Sequence, residues 1–249
     1  MTADLVDRLV AAVRTRTALD PADSGLTPDE AYHVQDQVIT ALGGEVEGAK
    51  LGLTSRAKQE QMSVTEPAYG WLLAGSRLQA GEALVAADLI QPRAEPEIAF
   101  LIGDELEGAA VTAAHVIAAT RAVLPAIEIL DSRYAGYSFT LPDVIADNTS
   151  AARYAVGDPV PLNGVNLRTV GCVFSKNGAL VATAAGAAVL DHPAGAVAWL
   201  VRKLASRGRR LEAGTVVLAG SLTATVPIAP GDVVTAEIDR IGTVEVAVR

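Results

Sequence analysis

Apolar positions change their period several times along the 249 residues, and each change predicts an element. Leu5, Leu9, Val10 and Val13 recur at helical spacing, giving a first amphipathic helix that ends near Thr17. Thr27-Pro28-Asp29-Glu30 opens a second, with Thr27 as cap, Pro28 in the first turn and Glu30 completing a capping box. Its face is Ala31, Val34, Val38 and Leu42, Gly43-Gly44 is its stop, and His33 beside the face reads as a partly exposed structural residue. The pattern then shortens. Residues 48–53 read as a strand running into a Thr54-Ser55 cap and a helical stretch at 56–62, and 66–73 as a loop entering another strand. Gly75 and Gly81 bracket a turn, and 84–102 read mostly as strand. Residues 112–123 read as a helix capped by Thr112, which Pro125 ends ahead of a buried strand around Glu128; His115 on that helix lacks any metal-ligand spacing. A polar, aromatic-bearing loop follows from Asp131 to Ser150. Two strand-like runs flank Lys176-Asn177-Gly178, the strongest hairpin signal in the chain. Pro193 opens a helix with Val197, Leu200, Val201 and Leu204 on one face and Gly208 as its stop, with His192 placed to cap or pack. The end alternates short strands with turns at Pro230-Gly231-Asp232 and Ile241-Gly242. Helices first, then many short strands with helices between, predict an α+β fold with a mixed or closed sheet.

Composition narrows what such a fold does. Half the residues are hydrophobic but only 4% are aromatic, so the core must be built from Ala, Val, Leu and Ile. A formal charge of -9 argues against a nucleic-acid surface or an anionic membrane as partner, since both call for a basic patch. The single cysteine, Cys172, excludes an internal disulfide framework and fits a reducing compartment; its neighbours mark it as a small core residue. No stretch resembles a signal peptide and no apolar run reaches the roughly 18 residues that span a bilayer, so the expectation is a soluble, cytoplasmic protein. There is no Gly-x-Gly-x-x-Gly after a strand, no Walker motif and no Gly-x-Ser-x-Gly elbow. A Ser-His-Asp triad is left open by composition alone.

The candidate chemistry lies in Arg93-Ala94-Glu95-Pro96-Glu97-Ile98. On an extended strand Glu95 and Glu97 project from one face, roughly 7 Å apart at Cα. Such a pair is ordinarily two solvated side chains. Glu128, however, lies inside Leu124-Pro125-Ala126-Ile127-Glu128-Ile129-Leu130, where an unpaired buried carboxylate is costly. Three carboxylates without a nearby Cys or His make an all-oxygen site suited to Mg²⁺ or Mn²⁺ rather than zinc. Lys50, among small residues and glycines, can meet a carboxylate or enolate oxygen, although its local pattern alone favours a surface lysine at a strand start.

These residues, with their neighbours, resemble the hydratase/decarboxylase branch of the fumarylacetoacetase superfamily. The resemblance is carried by residues 48–55, Glu95-Pro96-Glu97, residues 126–133, Asp147-Asn148, His192-Pro193 and residues 220–223. Two enzyme families of that branch serve the meta-cleavage breakdown of aromatic compounds, a 2-oxohex-3-enedioate decarboxylase and a 2-hydroxypenta-2,4-dienoate hydratase. Residues 54–62, 129–134 and 223–232 are more similar to the decarboxylase, with Ser63 departing from its usual Gly. The resemblance implies one catalytic domain over 1–249, with 1–75 a helical N-terminal portion packed on a mixed β-roll or barrel. It implies Mg²⁺ or Mn²⁺ on Glu95, Glu97 and Glu128, with Lys50 and Asp147 catalytic. Substrate contacts are implied at Leu51, Ser55, Arg133, Ser221 and Thr223, with Arg133 facing a distal carboxylate or else bracing the loop through Asp131. In the hydratase alternative, Asp147 works with Lys50 or Glu66 as acid and base. A small 2-oxo acid or diacid is the implied substrate, and a homo-oligomer, also in complex with a paralogous hydratase, the implied assembly. A non-catalytic assembly subunit of the same fold is the remaining alternative.

Overall fold

A computed structural model describes residues 2–21 and 23–249. The elements in chain order are α1 (Thr2–Thr15), α2 (Pro28–Ala41), β1 (Val46–Gly52), α3 (Arg56–Gln61), β2 (Ala68–Leu73), β3 (Arg93–Ile102), α4 (Ala113–Ala119) and β4 (Thr120–Leu130). There follow α5 (Leu141–Ala146), β5 (Ala151–Val156), β6 (Gly171–Lys176), β7 (Ala179–Ala185), α6 (Pro193–Ser206), β8 (Val216–Ser221), β9 (Val226–Pro227), β10 (Val233–Ile238) and β11 (Gly242–Ala247). The main sheet runs β2-β1-β8-β3-β4-β5, with β9 pairing on β3; β1 and β8 are parallel and the other pairs antiparallel. Past β2 the chain crosses to β5, where Leu78 N–H donates to Tyr154 O (2.8 Å) and Tyr154 N–H to Ser76 O (3.1 Å). The two ends of the sheet are thereby tied together, and it rolls into a nearly closed barrel. The stretch expected as a helical N-terminal portion also supplies β1 and β2 to this barrel.

Alternation along the strands decides what each face meets. Ile98, Phe100 and Ile102 of β3 join the main core with Val197, Leu200, Val201 and Leu204 of α6 and the apolar faces of α1 and α2. Farther along the same sheet, Ala94, Ile127 and Ile129 pack on Phe174, Val234, Ala236 and Val246 of a second sheet, ordered β11-β10-β6-β7. The inward face carries Leu72, Ala99, Leu124, Ala126, Tyr154 and Leu218. That small aliphatic lining fills one part of the barrel and leaves room for longer polar side chains in the rest.

Several boundaries differ from those expected. The helix read over 112–123 stops at Ala119, and Thr120 already begins β4. Pro125 does not end a helix: it lies within β4 opposite Ile98. Its carbonyl accepts from Gly157 N–H (2.9 Å) just past the end of β5, so the missing N–H faces the place where pairing stops. Pro96 is placed alike, its carbonyl accepting from Leu222 N–H (2.9 Å) beyond the end of β8. Residues 84–92 are not strand: Leu84 and Ala86 are hydrogen-bonded to the exit of β11, and a 3₁₀ turn follows at Ala86–Asp88. Within the expected loop from Asp131 to Ser150 sits α5, capped by Thr140 and Asp143 with Pro142 in its first turn. The capping box at Thr27 and Glu30 and the His192 cap on α6 form as expected. So does the hairpin at Asn177-Gly178, with φ of 55° and 75°. His115 is an exposed cap, its Nδ1 accepting from Thr112 N–H (3.1 Å).

Candidate metal centre

The central pair β3 and β4 builds the site. Glu95 lies directly opposite Glu128 in the antiparallel register, and Glu97 follows two residues along the same face. All three carboxylates are buried, and one oxygen from each lies within 4.8 Å of the others. Lys50 reaches them from β1 and is 1% exposed; its Nζ stands 3.1 Å from Glu128 Oε1 and donates to Thr149 O (3.0 Å). Lys58, half-buried on α3, places Nζ 3.4 Å from Glu95 Oε2. Gly220 N–H donates to Glu97 Oε2. Only glycine serves there, because at its φ of 109° a Cβ would stand 2.0 Å from Thr54 Oγ1.

Charge does not balance within the protein. Three carboxylates face two ammonium groups, one of them partly in water, so the ionised trio carries one negative charge more than its partners neutralise in a buried place. Burial, then the repulsion of Glu128 and Glu95, pushes the Glu97 carboxyl well above the usual carboxylate range. Burial likewise raises Glu128 to about 7, against the pull of Lys50. Burial lowers the Lys50 ammonium, but Glu128, Glu95 and Glu97 together more than offset it and hold it above its ordinary value. Glu97 Oε1 and Glu128 Oε2 lack any polar partner, and Glu128 Oε1 has only its ion pair with Lys50, not a hydrogen bond. Such orphaned, converging carboxylate oxygens fit a hard divalent cation, which supplies the missing ligation and charge.

The other expected site residues divide. Ser221 lies opposite Glu97 in register, its hydroxyl donating to Thr223 O (2.6 Å), and Thr223 is half-buried beside it. Ser55 caps α3 by accepting from Lys58 N–H (3.2 Å), so it reaches the glutamates through Lys58. The Leu51 side chain is 0% exposed and packs in the main core, away from Lys50, because neighbours on a strand face opposite ways. Arg133 does not present a free guanidinium to a substrate. Its Nε donates to Asp147, Nη1 to Asp131 O and Ala151 O, and Nη2 to Asp147 O. Asp147, raised to about 6 by burial against the pull of Arg133, is buried with Ser132 and Ser150 as further partners. Both residues line a cavity of about 770 Å³ to which none of Lys50, Glu95, Glu97 and Glu128 belongs. Lys58, Gly220 and Thr149 lie in stretches the sequence reading singled out but were not among its expected site residues. Lys58 carried a signal, its place three residues after a Ser cap, but a backbone carbonyl such as Thr149 O carries none.

Residues 46–249 match the family described as Fumarylacetoacetate (FAA) hydrolase C-terminal. The chain belongs to this family. Among fumarylacetoacetate hydrolase relatives, it is 42% identical over 214 residues to a 4-oxalocrotonate decarboxylase of Pseudomonas sp. (strain CF600), covering 84% of this chain and 81% of that one. It is 39% identical over 248 residues to a 2-hydroxyhexa-2,4-dienoate hydratase of Comamonas testosteroni, covering 95% and 93%. The solved structure of 4-oxalocrotonate decarboxylase from Pseudomonas putida G7, complexed with magnesium and adipate, superposes with a TM-score of 0.95 at 36% identity, over 100% of this chain and 97% of that one. The α+β fold and the family expected from scattered motifs both hold, and these relatives are lyases. Among the described residues no helix is long and apolar enough to cross a membrane.

Proposed function

We propose that this protein decarboxylates 4-oxalocrotonate, 2-oxohex-3-enedioate, to 2-hydroxypenta-2,4-dienoate and CO₂ with Mg²⁺ bound by Glu95, Glu97 and Glu128. The observation that carries the proposal is the buried, charge-deficient trio of glutamates with Lys50 beside it. It is supported by the likeness to a decarboxylase crystallised with magnesium and adipate, a six-carbon diacid like the proposed substrate. A divalent ion in this place supplies Lewis-acid polarisation of a 2-oxo acid. The distal carboxylate is a vinylogue of a β-keto acid, so the C5–C6 bond breaks and its electron pair passes through C4=C3 onto the 2-oxygen. Lys50 Nζ sets a positive charge and a proton where that negative charge develops. Ala99, Leu124, Ala126 and Leu218 give the same barrel interior an apolar lining, and the low dielectric this brings strengthens the ammonium's effect and favours loss of a charged group as neutral CO₂.

Hydration of 2-hydroxypenta-2,4-dienoate is the second reading, supported by hydratase relatives that match almost the whole chain. The two share every ligand named here. Manganese serves the same donor set. Self-association fits as well: β7 is the edge of the small sheet and leaves Leu180 and Val181 exposed. The test is to treat the protein with chelator, restore Mg²⁺, and supply the diacid and the dienol separately. Release of CO₂ from the diacid supports the proposal. Formation of only 2-oxo-4-hydroxypentanoate from the dienol replaces it with the hydratase, and turnover of neither leaves an assembly subunit.

A further inference from the structure

The loop Asp147–Ser150 is built at an unusual conformational cost, and what it delivers is a single carbonyl. Asn148, Thr149 and Ser150 have φ of 51°, 52° and 58°, three consecutive left-handed residues, none of them glycine. L residues seldom adopt this conformation, and rarely in sequence. The loop is held there from every side. Asn148 accepts from Trp71 N–H (2.7 Å) and donates to Trp71 O (2.9 Å), while Thr149 Oγ1 donates to Tyr69 O (2.7 Å). Ser150 O accepts from Asp131 N–H (2.8 Å), and Asp147 is locked by the Arg133 guanidinium. Gly70 gives the loop its closest approach: a Cβ there would stand 2.4 Å from Asn148 O. All of this places Thr149 O at 3.0 Å from Lys50 Nζ.

An ammonium has three protons in fixed tetrahedral directions. Thr149 O accepts one, and the charge of Glu128 Oε1 pulls a second towards it through an ion pair at 3.1 Å rather than a hydrogen bond, so the third direction follows chiefly from the bond to Thr149 O. We infer that Arg133, Asp147 and Asn148 are positioning residues, which act through the strained backbone of Thr149 to aim the remaining Lys50 proton at the substrate. The inference rests on the function proposed above for Lys50, and it gives Arg133 and Asp147 a role without substrate contact. It also accounts for why a buried ion pair holds a loop that makes no hydrogen bond to the glutamates.

The test uses Gly70→Ala, whose methyl displaces the loop at Asn148, and Asn148→Ala, which removes the clamp on Trp71 and makes the left-handed φ of 51° costlier, and which serves where the first variant fails to fold. Expected is a fall in kcat of about tenfold to a hundredfold, as for a misaligned reacting group. KM and the Mg²⁺ affinity read by calorimetry stay within about twofold, since the glutamates are untouched. In a Lys50→Met background the same substitution costs less than about twofold further, because the loop then has nothing to aim. A crystal structure of the variant shows Lys50 Nζ moved off the carbonyl of residue 149 with the glutamates in place. Losses that add independently to those of Lys50→Met overturn the inference, as does a crippled variant whose Lys50 still meets that carbonyl. If the unaltered protein turns over neither substrate, the functional reading fails instead, and the crystal structure still tests the loop.

Discussion

A buried carboxylate held for a metal is a liability when the metal is gone. Glu97 shows this best, with one oxygen bonded to Gly220 and the other without a partner. Replacing it by Gln keeps the shape, takes away one anionic ligand and, at a pH high enough to ionise the raised Glu97 carboxyl, removes one of three like charges, so the melts belong on that alkaline side. The two consequences run in opposite directions. Glu97→Gln is expected to weaken Mg²⁺ binding by at least about tenfold, a loss on the order of 1.4 kcal/mol or more. The same change is expected to raise the melting temperature of the metal-free protein by a few degrees, at roughly 2–4 °C per kcal/mol for a chain of this size. Calorimetric titration and thermal melts in chelator read the two effects separately. A metal-free variant less stable than its parent counts against a site whose charge needs an ion.

At the scale of the elements, docking is uneven. The strands β3 and β4 are buried along nearly their whole length, whereas α3 has no buried residue. It is held by the Ser55 cap, by Gln59 on Leu53 O (2.9 Å), by an exposed pair between Arg56 and Asp191, and by Lys58 on Glu95. Exposed ion pairs contribute little. Amide hydrogens of residues 57–62 are therefore expected to exchange orders of magnitude faster than those of β3 and β4, and equal protection would mean the helix is docked by something more. This contrast tracks what was legible in the sequence. Signals confined to a few residues translated directly, as at the Thr27 capping box, the Asn177-Gly178 hairpin and the Glu-x-Glu pair whose i, i+2 spacing puts two carboxylates on one face. Glu128 was legible because aliphatic residues flank it. Features decided by distant partners were not. Thr120–Val123 has helix-favouring neighbours, but pairing with β3 makes it strand. Lys50 reads locally as a surface residue, yet Glu128 and Thr149, 78 and 99 positions away, bury and orient it. Arg133 invites a role in anion binding until α5 and the left-handed turn bring Asp147 against it.

For the molecule as a whole, the raised carboxyls make stability and metal binding respond to pH in opposite senses. Glu128 is pushed to about 7 and Asp147 to about 6, and Glu97 is raised as well, while all three titrate near the ordinary carboxylate values once the chain unfolds. Between those values the folded state keeps protons that the unfolded state releases. Stability of the metal-free protein is then fully present below the unfolded pKa and falls as pH rises through the folded one, from about pH 4.5 to 7. Bound Mg²⁺ requires Glu128 and Glu97 ionised, so its affinity rises over that interval and its stabilisation, RT ln(1 + [L]/Kd), grows with it, whereas Asp147, away from the glutamates, affects only the stability of the fold. The expected outcome is a melting temperature in chelator that declines from about pH 5 to 8, and a Mg²⁺-induced upward shift that widens across the same range. Differential scanning calorimetry at fixed ionic strength measures both. A Mg²⁺ shift that is constant with pH would mean that the ion is held somewhere other than on Glu97 and Glu128.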